Sequence, residues 1–485
     1  MRFRDFDEAF AWLAAHTNYE TMATQRYDER TYGLDRVRRL LTAAGRPDRA
    51  FDGAQVVGSK GKGSTAAALA SILRASGRRT GLLTSPHLVD PRERVAVDGV
   101  PVEDAAMTDA LASLVPPVER AAARGEPATF FEIHTVAALL AFRAVGCDAV
   151  VLEAGMGGRL DATTAARARV TVMTSVSLDH MQHLGRTREA IAREKAAVVR
   201  RGVPFVCGER ASDAAGRVAA AACRATGARL VAIGRDFRVG HVATEFDEAT
   251  GRGRTTIRLT FPPREPLDLA IPLLGRHQAR NAALAAVAAL TARWRGDEIT
   301  VDHVRDGLAA VSIHARLEAL STDPLLLLDG AHNPASLAVL AATLREVLPR
   351  RRIVFVIGMA ADKDVRGSLR RLRGTAYRVV ATTSGQPRAA LPAVVAEAAR
   401  AAGLPAYEAP DLASALREAR RAAGRAGVVV VAGSLYLCGA ALASLRCLTV
   451  GSSRGAKIRS VAGQGPAVRR DAAEARVRRP PGEVP

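Results

Sequence analysis

The sequence predicts an α/β protein whose sheets are mostly parallel. Short Val-rich runs alternate with helical stretches rich in Ala, Leu and Arg. Strands that are apolar along their whole length are typical of parallel sheets that helices cover on both faces. With 485 residues, 48% of them hydrophobic, the chain is long enough for two or three domains, each with its own core.

Two series of predicted strands divide the chain. The first comprises 54–57, 80–84, 149–153, 170–175 and 203–207, and the second comprises 325–328, 353–357, 377–381 and 428–431. A polar stretch, 293–298, separates the two series. We therefore expect a first domain at 1–295, a smaller Rossmann-like α/β domain at 296–449 and a basic tail at 450–485. Because the tail is rich in Gly, Pro, Ser and Arg without apolar periodicity, we expect it to be disordered.

Charge and cysteine content narrow the classes of function. The formal net charge is +20, but the arginines are scattered through Ala-rich helices and aromatic residues make up only 4% of the chain. This distribution disfavours nucleic-acid binding, which needs a concentrated basic surface. The five cysteines are widely spaced and odd in number, which indicates reduced intracellular thiols and no zinc site. Because no apolar run reaches the about 18 residues of a membrane span, we expect a soluble, cytoplasmic protein.

A glycine-rich loop follows the first predicted strand and contains two of the chain's five lysines. It comprises Gly58, Ser59, Lys60, Gly61, Lys62, Gly63 and Ser64, and a helix is predicted to begin near Ser64. In such a loop, backbone N–H groups and the helix dipole bind phosphate, and a lysine reaches its outer oxygens. The spacing departs from the usual P-loop, because Gly63 separates Lys62 from Ser64. The alternative is a simple glycine turn, which does not account for the lysines.

Further strings of unusual residues follow in order along the chain. They are 84–88 (TSPHL), 129–132 (TFFE), 152–163 (LEAGMGGRLDAT), 177–180 (SLDH), 193–196 (REKA), 274–278 (LGRHQ) with Asn281, 315–317 (ARL) and 328–334 (LDGAHNP). In this order and spacing they resemble the folylpolyglutamate synthase and dihydrofolate synthase family, a branch of the ATP-dependent Mur ligases. The resemblance extends over roughly residues 30–445.

The resemblance implies a P-loop-type ATPase domain that also binds folate, followed by the smaller Rossmann-like domain. It implies catalytic roles for Lys62, Lys195 and His332, and two Mg²⁺ ions held by Ser85, Glu153 and His180. It assigns ATP binding to Ser59, Lys60, Gly61, Lys62, Gly63, Ser64, Asn281, Arg316 and Asp329. It assigns the folate pocket to Thr129, Phe130, Phe131, Glu132, Leu160, Asp161 and Ala162. Taken singly, many of these residues also fit a turn, a helix cap or ordinary core packing.

Lys195 lies on the apolar face of a predicted helix. Ile191, Val198 and Val199 share that face at helical spacing. A buried lysine is costly unless it is paired or modified. The resemblance implies that carbon dioxide carboxylates this lysine and that the resulting anion helps to hold the metal site. The alternative is a lysine that reaches solvent or pairs with Glu194.

The sequence departs from the family's usual pattern at three places. Lys60 and Thr164 each stand where Asn is usual, and His314-Ala315 replaces Pro-Gly before Arg316. The first change should preserve phosphate binding. The other two leave open the fine geometry of the folate pocket and the approach of Arg316.

We predict an ATP-dependent ligase that adds L-glutamate to dihydropteroate, to reduced folates or to both, through an acyl phosphate. One alternative is a Mur ligase that acts on a cell-wall nucleotide precursor. Another is a nucleotide-dependent binding module that performs no ligation. The sequence does not decide which of the folate reactions occurs, the polyglutamate chain length or the preferred folate, and we expect a monomer.

Overall fold

The computed structural model describes residues 2–19, 28 and 31–451, with side chains as far as 444. Its helices are α1 (Phe6–Ala14), α2 (Leu34–Ala43), α3 (Lys62–Ala75), α4 (Asp104–Ala123), α5 (Phe130–Ala144), α6 (Met181–Leu184), α7 (Arg188–Ala196), α8 (Ala214–Thr226), α9 (Arg276–Thr291), α10 (Val301–Ala309), α11 (Pro334–Val347), α12 (Val365–Arg370), α13 (Pro392–Ala401), α14 (Leu412–Ala423) and α15 (Leu435–Gly451).

The strands are β1 (Asp52–Val57), β2 (Thr80–Leu83), β3 (Val95–Val97), β4 (Val100–Pro101), β5 (Ala149–Glu153), β6 (Val170–Met173), β7 (Phe205–Cys207), β8 (Leu230–Ala232), β9 (Arg238–Asp247), β10 (Arg252–Thr260), β11 (Leu267–Ile271), β12 (Arg316–Thr322), β13 (Leu325–Asp329), β14 (Ile353–Ile357), β15 (Ala376–Ala381), β16 (Ala406–Glu408) and β17 (Val428–Ala432). Every predicted strand overlaps an observed one, so the predicted α/β class is confirmed.

The first sheet has eight strands in the order β4-β3-β2-β5-β1-β6-β7-β8. From β2 to β8 in that order the neighbours are parallel, whereas β3 and β4 are antiparallel additions at one edge. Strand β1 pairs with β5 on one side and with β6 on the other. The loops that follow β1, β5 and β6 therefore meet at one edge of the sheet, beside a change in strand order where open α/β sheets bind ligands.

Apolar clusters cover both faces of this sheet. On one face α3 and α9 pack closely through small side chains such as Ala66 and Ala282, which belong to the same buried cluster. On the other face α1, α2, α4 and α5 pack around residues such as Leu111 and Phe142. The loop between β1 and α3 is consequently anchored at both ends by buried elements.

A small antiparallel sheet, in the order β11-β10-β9, was not anticipated from the sequence. Its strands alternate between buried and exposed residues, as expected when a sheet covers a core with one face only. Ile257, Leu259 and Leu269 lie in the same buried cluster as α3 and α9. The sheet thus extends the first core and contributes to the support of α9.

The second sheet has six strands in the order β12-β13-β17-β14-β15-β16. All are parallel to their neighbours except β12, which is antiparallel to β13. Val428, Val429, Val430 and Val431 of the central strand β17 are fully buried. Their side chains alternate between two clusters, one on each face of the sheet, as the uniformly apolar sequence of the strand predicts.

Helix α10 belongs with the first sheet. Val304 is fully buried in the core that contains α3, and Ser71 Oγ donates a hydrogen bond to Gly307 O at 2.6 Å. The predicted boundary at 295/296 placed this helix in the second domain. Because Ile313 still packs on the first core whereas Ala315 is buried in the second, we propose the boundary at residue 314.

The C-terminal end of the described structure bears on the predicted tail. Helix α15 reaches Gly451 and so overlaps the start of the tail predicted at 450–485, of which 452–485 lie outside the described residues.

The described cysteines are buried free thiols, as predicted for them: Cys147, Cys207, Cys223 and Cys438. In the described ranges, no helix combines the length and apolar character needed to cross a bilayer.

The packing of α10 can be tested with Gly307→Ala. A Cβ atom on Gly307 would collide with the backbone of Ile72. At an exposed helical site, replacing Gly by Ala would raise the free energy of unfolding by up to about 1 kcal/mol. At Gly307 we expect overpacking to lower the free energy of unfolding by a net amount of about 1–3 kcal/mol. Urea unfolding measures the change, with the exposed Asp306→Ala as control. A variant as stable as the parent would contradict the assignment of α10 to the first core.

Candidate active site

The glycine-rich loop between β1 and α3 keeps its shape because two of its glycines adopt conformations that other residues avoid. Gly58 has φ +153° and Gly61 has φ +82°. A Cβ atom on Gly58 would collide with Thr174 Oγ1, and one on Gly61 would collide with Asn281 Oδ1. Helix α3 begins at Lys62, earlier than predicted, so its N-terminal N–H groups adjoin the loop.

Residues that follow β6 hold the loop in place. Ser59 N–H donates to Ser175 O at 2.6 Å, and Ser59 Oγ donates to Ser177 O at 3.2 Å. Thr174 Oγ1 and Ser175 Oγ donate to Lys60 O at 2.7 and 3.0 Å. The loop backbone is therefore fixed by its neighbour in the sheet, and Ser59 has a structural role besides any contact with a ligand.

Lys62 lies among ionisable side chains that come from three different elements. Burial is the main influence on the pKa of Glu153, His180 and Lys195, and the charge of Lys62 acts on all three. The geometry agrees, because Lys195 Nζ donates to Gly58 O at 2.9 Å and a Cβ atom on Gly63 would lie 3.3 Å from Glu153 Oε2. The structure thus brings together four residues that the sequence placed far apart.

Glu153 ends β5 and is only 6% exposed. Burial raises the pKa of its carboxyl group, against the opposing charge of Lys62 and a hydrogen bond from Ser85 N–H to Glu153 Oε2 at 3.3 Å. Gly63 and Ser64 form the first turn of α3, and a Cβ on Gly63 would lie 3.3 Å from Glu153 Oε2. The carboxylate therefore adjoins the positive end of the helix.

The predicted metal ligands Ser85, Glu153 and His180 fit a divalent cation chemically. Among the described residues, no lysine, arginine or histidine forms an ion pair with Glu153, so its buried carboxylate is available to a cation. His180 is exposed, but the protein around its imidazole still removes part of the surrounding water, and this desolvation lowers its pKa. A lowered pKa favours the neutral imidazole, which is the form that binds metals. Over the described ranges, no cluster of three or more His, Cys, Asp or Glu side chains forms a metal site. The predicted set differs from such a cluster because one of its three ligands is a serine.

Lys195 is buried, with 2% exposure, and its Nζ donates to Gly58 O at 2.9 Å. Burial, followed by the charge of Lys62, lowers its pKa to about 7. Glu194 instead forms an ion pair with Arg159 at 3.1 Å. The alternative that Lys195 reaches solvent or pairs with Glu194 is therefore wrong, and the lysine amine lies under the phosphate loop.

The predicted folate residues at the start of α5 have local structural roles. Thr129 and Glu132 form a capping box, in which Thr129 N–H donates to Glu132 Oε2 at 2.8 Å. Glu132 also forms a buried ion pair with Arg36 at 2.8 Å. The side chain of Phe130 is buried, with 2% of its surface exposed. The ring of Phe131 lies close to Gly155, because a Cβ atom added to Gly155 would lie 3.1 Å from that ring. Of this string, Phe131 is the residue that faces the loop after β5.

The second part of the predicted folate wall is a loop held by its own aspartate. Asp161 accepts hydrogen bonds from Met156 N–H at 3.1 Å and from Thr163 N–H at 3.0 Å. Burial raises the pKa of its carboxyl group, against these hydrogen bonds. Leu160 and Ala162 on either side are buried. These bonds fix the loop's shape, and its contact with folate stays a prediction.

The second sheet contributes Arg316 and Asp329, which face each other across β12 and β13. Asp329 accepts from Leu317 N–H at 3.0 Å and from Ala331 N–H at 2.9 Å. Ala315 and Leu317 have φ +54° and +53°, a costly conformation for non-glycine residues. Arg316 Nη1 donates to Ala315 O at 3.0 Å, and the positive charge of Arg316 opposes the rise in the pKa of Glu153 that burial causes.

His332 follows β13 and approaches the loop directly. Its Nδ1 lies 2.8 Å from Gly330 O, and its Nε2 lies 3.3 Å from Lys60 Nζ. Lys60 Nζ also forms an ion pair with Asp179 at 2.8 Å. Burial would raise the pKa of Asp179, but the charges of Lys60 and His180 outweigh it and the pKa is lowered. Burial lowers the pKa of His332 to about 3, so its imidazole is neutral.

Sequence reasoning missed several residues that the structure adds. Asp179 binds Lys60, and Glu209 fixes the loop before His180 by accepting from Val176 N–H at 2.9 Å. The charge of Lys363, on the second sheet's side, acts on Lys60, His180 and His332. Four of the chain's five lysines therefore surround one site, and this scarcity of lysine was the signal that could have found Lys363.

A cavity of about 450 Å³ opens next to the Ser85 loop, between elements of the first and second sheets. Its lining includes His87, Arg94, Phe130, Gln386 and Tyr436. Arg94 Nε donates to His87 Nδ1 at 2.8 Å. The cavity combines aromatic, cationic and amide groups, which suits an organic acid.

The fold and the site define the class of the protein. Residues 56–289 match the Mur ligase middle domain, and residues 315–435 match the Mur ligase glutamate ligase domain. The chain is 36% identical to the folylpolyglutamate synthase of Lacticaseibacillus casei over 84% of this chain and 92% of that protein. The chain belongs to the folylpolyglutamate synthase and dihydrofolate synthase family.

Longer relatives and solved structures agree with this membership. A "Probable bifunctional folylpolyglutamate synthase/dihydropteroate synthase" of Haloferax volcanii is 36% identical over 84% of this chain, which spans only 47% of that protein. The structure of E. coli FolC in complex with DHPP and ADP is 29% identical, with a TM-score of 0.78 over 91% of this chain and 98% of that chain. The Yersinia pestis bifunctional folylpolyglutamate synthase/dihydrofolate synthase complexed with AMPPNP and Mn ion is also 29% identical, with a TM-score of 0.75 and the same coverage.

The conformation of the loop can be tested with Gly61→Ala. Gly77→Ala is a matched control, because Gly77 has φ +83° but no atom within 4 Å of its Cβ position. Both variants strain the backbone, whereas only the first also displaces Asn281. We expect Gly61→Ala to lose about 1–3 kcal/mol more stability than the control in urea unfolding. Equal losses would show that the loop does not press against α9.

Proposed function

We propose that this chain is an ATP-dependent ligase that forms an amide between L-glutamate and a pterin-containing acid, namely dihydropteroate, a folate or both. The observation that carries the proposal is the convergence of Lys62, Glu153, His180 and Lys195 beside the N-terminus of α3. Such a site can hold the phosphates of a nucleotide next to a carboxylate. The names and bound ligands of the relatives support the choice of ATP and folate.

The chemistry explains why these groups are needed. A carboxylate is a poor electrophile, so an oxygen of the acid first takes the terminal phosphoryl group of ATP, giving an acyl phosphate and ADP. The amine of glutamate then attacks the carbonyl carbon, the C–N bond forms, phosphate leaves with the electrons of the C–O bond, and the amine loses a proton. Negative charge accumulates on phosphoryl oxygens, where Lys62 and the N–H groups of α3 stabilise it.

Divalent cations complete the charge balance of this site. We assign Ser85, Glu153 and His180 as the residues that would hold Mg²⁺, and the manganese in the Yersinia pestis relative supports divalent metal use. When bound, Mg²⁺ neutralises the phosphate oxygens. Two ions, and a carboxylated Lys195 that supports them, are the finer form of this proposal. The lowered pKa of Lys195 favours its neutral amine, which is the form that reacts with carbon dioxide.

The remaining predicted residues take supporting positions. His332 brings a neutral imidazole from the second sheet to the phosphate loop. We assign Arg316 and Asp329 to the same side of the nucleotide, where closing the space would exclude water from the acyl phosphate. Asn281 lies against Gly61 and supports the nucleotide side. Because Phe131 faces the loop after β5, we propose that it provides the aromatic surface on which the pterin stacks.

The cytoplasmic location of the enzyme stays a prediction. The buried free thiols in the described part of the chain are consistent with the reducing cytoplasm. The monomeric state also stays a prediction.

Product analysis tests the proposed function. Purified protein is incubated with Mg²⁺, ATP and glutamate, together with dihydropteroate or a tetrahydrofolate, and the products are identified by mass. We expect addition of a glutamyl unit to at least one acid, with stoichiometric ADP, and loss of both products in Lys62→Met because phosphoryl charge is no longer neutralised. Product only with a cell-wall nucleotide precursor would support the other Mur ligase chemistry. Nucleotide binding without any amide product would support a binding module.

Lys195→Arg tests the modified lysine. Arginine stays cationic and does not form a stable carbamate, so we expect turnover to fall by at least about 100-fold, as for loss of other electrostatic groups in active sites. Carbon-13 NMR in labelled bicarbonate should show a carbamate signal in the parent protein that is missing from the variant. Near-normal turnover in Lys195→Arg would refute this role.

A further inference from the structure

Lys60 joins the two sheets. It belongs to the loop after β1 of the first sheet, and its Nζ lies 2.8 Å from Asp179 Oδ2 in the loop after β6. The same Nζ lies 3.3 Å from Nε2 of His332, which follows β13 of the second sheet. One ammonium group therefore contacts acceptors on both sides of the site. The family's usual residue at this position, Asn, is shorter and uncharged.

The hydrogen-bond chemistry of His332 makes this contact directional. A carbonyl oxygen can only accept, so the contact of Nδ1 with Gly330 O at 2.8 Å requires the proton on Nδ1. Nε2 then has a lone pair, and the Lys60 ammonium can only donate. The two contacts therefore select the neutral tautomer with its proton on Nδ1. In this tautomer Nε2 accepts the hydrogen bond that Lys60 Nζ donates.

The surrounding structure fixes both ends of the contact. Thr174 and Ser175 hold the backbone carbonyl of Lys60 at 2.7 and 3.0 Å. On the other side, Ser336 Oγ accepts from the N–H groups of His332 and Asn333 at 3.1 Å, which fixes the first turn of α11. A displacement of the second sheet would therefore break the Lys60–His332 bond before it deformed either loop.

We propose that Lys60 is a positioning residue that docks the start of α11 on the phosphate loop and so couples phosphate binding to the closure of the two sheets. An ammonium has three N–H donors, and the described residues provide two acceptors, Asp179 and His332. A phosphate oxygen at the loop is the third acceptor that this geometry accommodates. Phosphate bound there would hold Lys60 in place and strengthen the docking of His332, and by linkage docking would strengthen phosphate binding.

Hydrogen exchange of the amides at 331–336 measures the docking without any turnover, so its outcome does not depend on the proposed ligase activity. We expect Lys60→Asn and Lys60→Met to raise exchange at 331–336 by about tenfold, the effect of losing one charge-assisted hydrogen bond. Adding Mg-ADP should slow exchange there in the parent protein and not in either variant. Lys363→Met is the control, because it removes a cation near His332 without removing the bond between the sheets.

Each other result overturns the proposal. Unchanged exchange in both Lys60 variants would mean that Lys60 serves the phosphate alone. Equal increases in Lys363→Met would mean that local charge, and not the bond, controls docking. If Lys60→Met fails to fold, Lys60→Asn still decides, because Asn keeps a polar side chain while it removes the ammonium group. Failure of both to fold would show that Lys60 stabilises the protein as a whole and is not a docking contact.

Discussion

Strand β1 lies between β5 and β6, and this placement brings together the groups that the first sheet's loops contribute to the site. The three strands are parallel, so the loops that leave them emerge at one edge. The loop after β1 provides the lysines and glycines, β5 ends in Glu153, and the loop after β6 provides Asp179 and His180. If β1 were an edge strand, the phosphate loop would lose one of these two partners.

The second constraint is charge. Lys60, Lys62, Lys195 and Lys363 crowd around a space whose described counter-charges are mainly Glu153 and Asp179. Positive charge at this density is costly away from bulk water unless an anion is drawn in. A nucleotide's phosphates with their cations are well suited to such a space. The low pKa of Lys195 is the result of the same crowding, added to burial.

The small deviations from the family pattern are accommodated by local structure. Thr164, in place of Asn, donates to Gly158 O at 2.7 Å and accepts from Gln55 Nε2 at the same distance, so it ties the loop after β5 to β1. Ala315, in place of Gly, has a left-handed backbone with φ +54° and is completely buried in the second core. Neither change removes a group from the site, since the role at both places is to shape the backbone.

Several parts of the molecule were predictable from the sequence because their signals are local. Uniformly apolar runs such as 428–431 gave the strands of both sheets, and glycines beside scarce lysines gave the phosphate loop. The three-stranded antiparallel sheet was missed because its strands alternate apolar residues with exposed polar ones such as Arg254 and Arg258, and so lack the uniformly apolar runs that marked the other strands. The boundary that we propose at residue 314 was not predicted, because the contact of α10 with Ile72 joins residues that are far apart in the chain.

The sequence by itself determined which chemical groups the protein carries and in what order, because residue type and spacing are written along the chain. Only the tertiary structure decided which groups meet. It turned Glu132 toward Arg36 and Asp161 toward its own loop, and it brought Lys60 to His332 and Lys363 to the site. Those outcomes depend on how two sheets and their connecting helices pack, and packing is set by long-range contacts that no local pattern encodes.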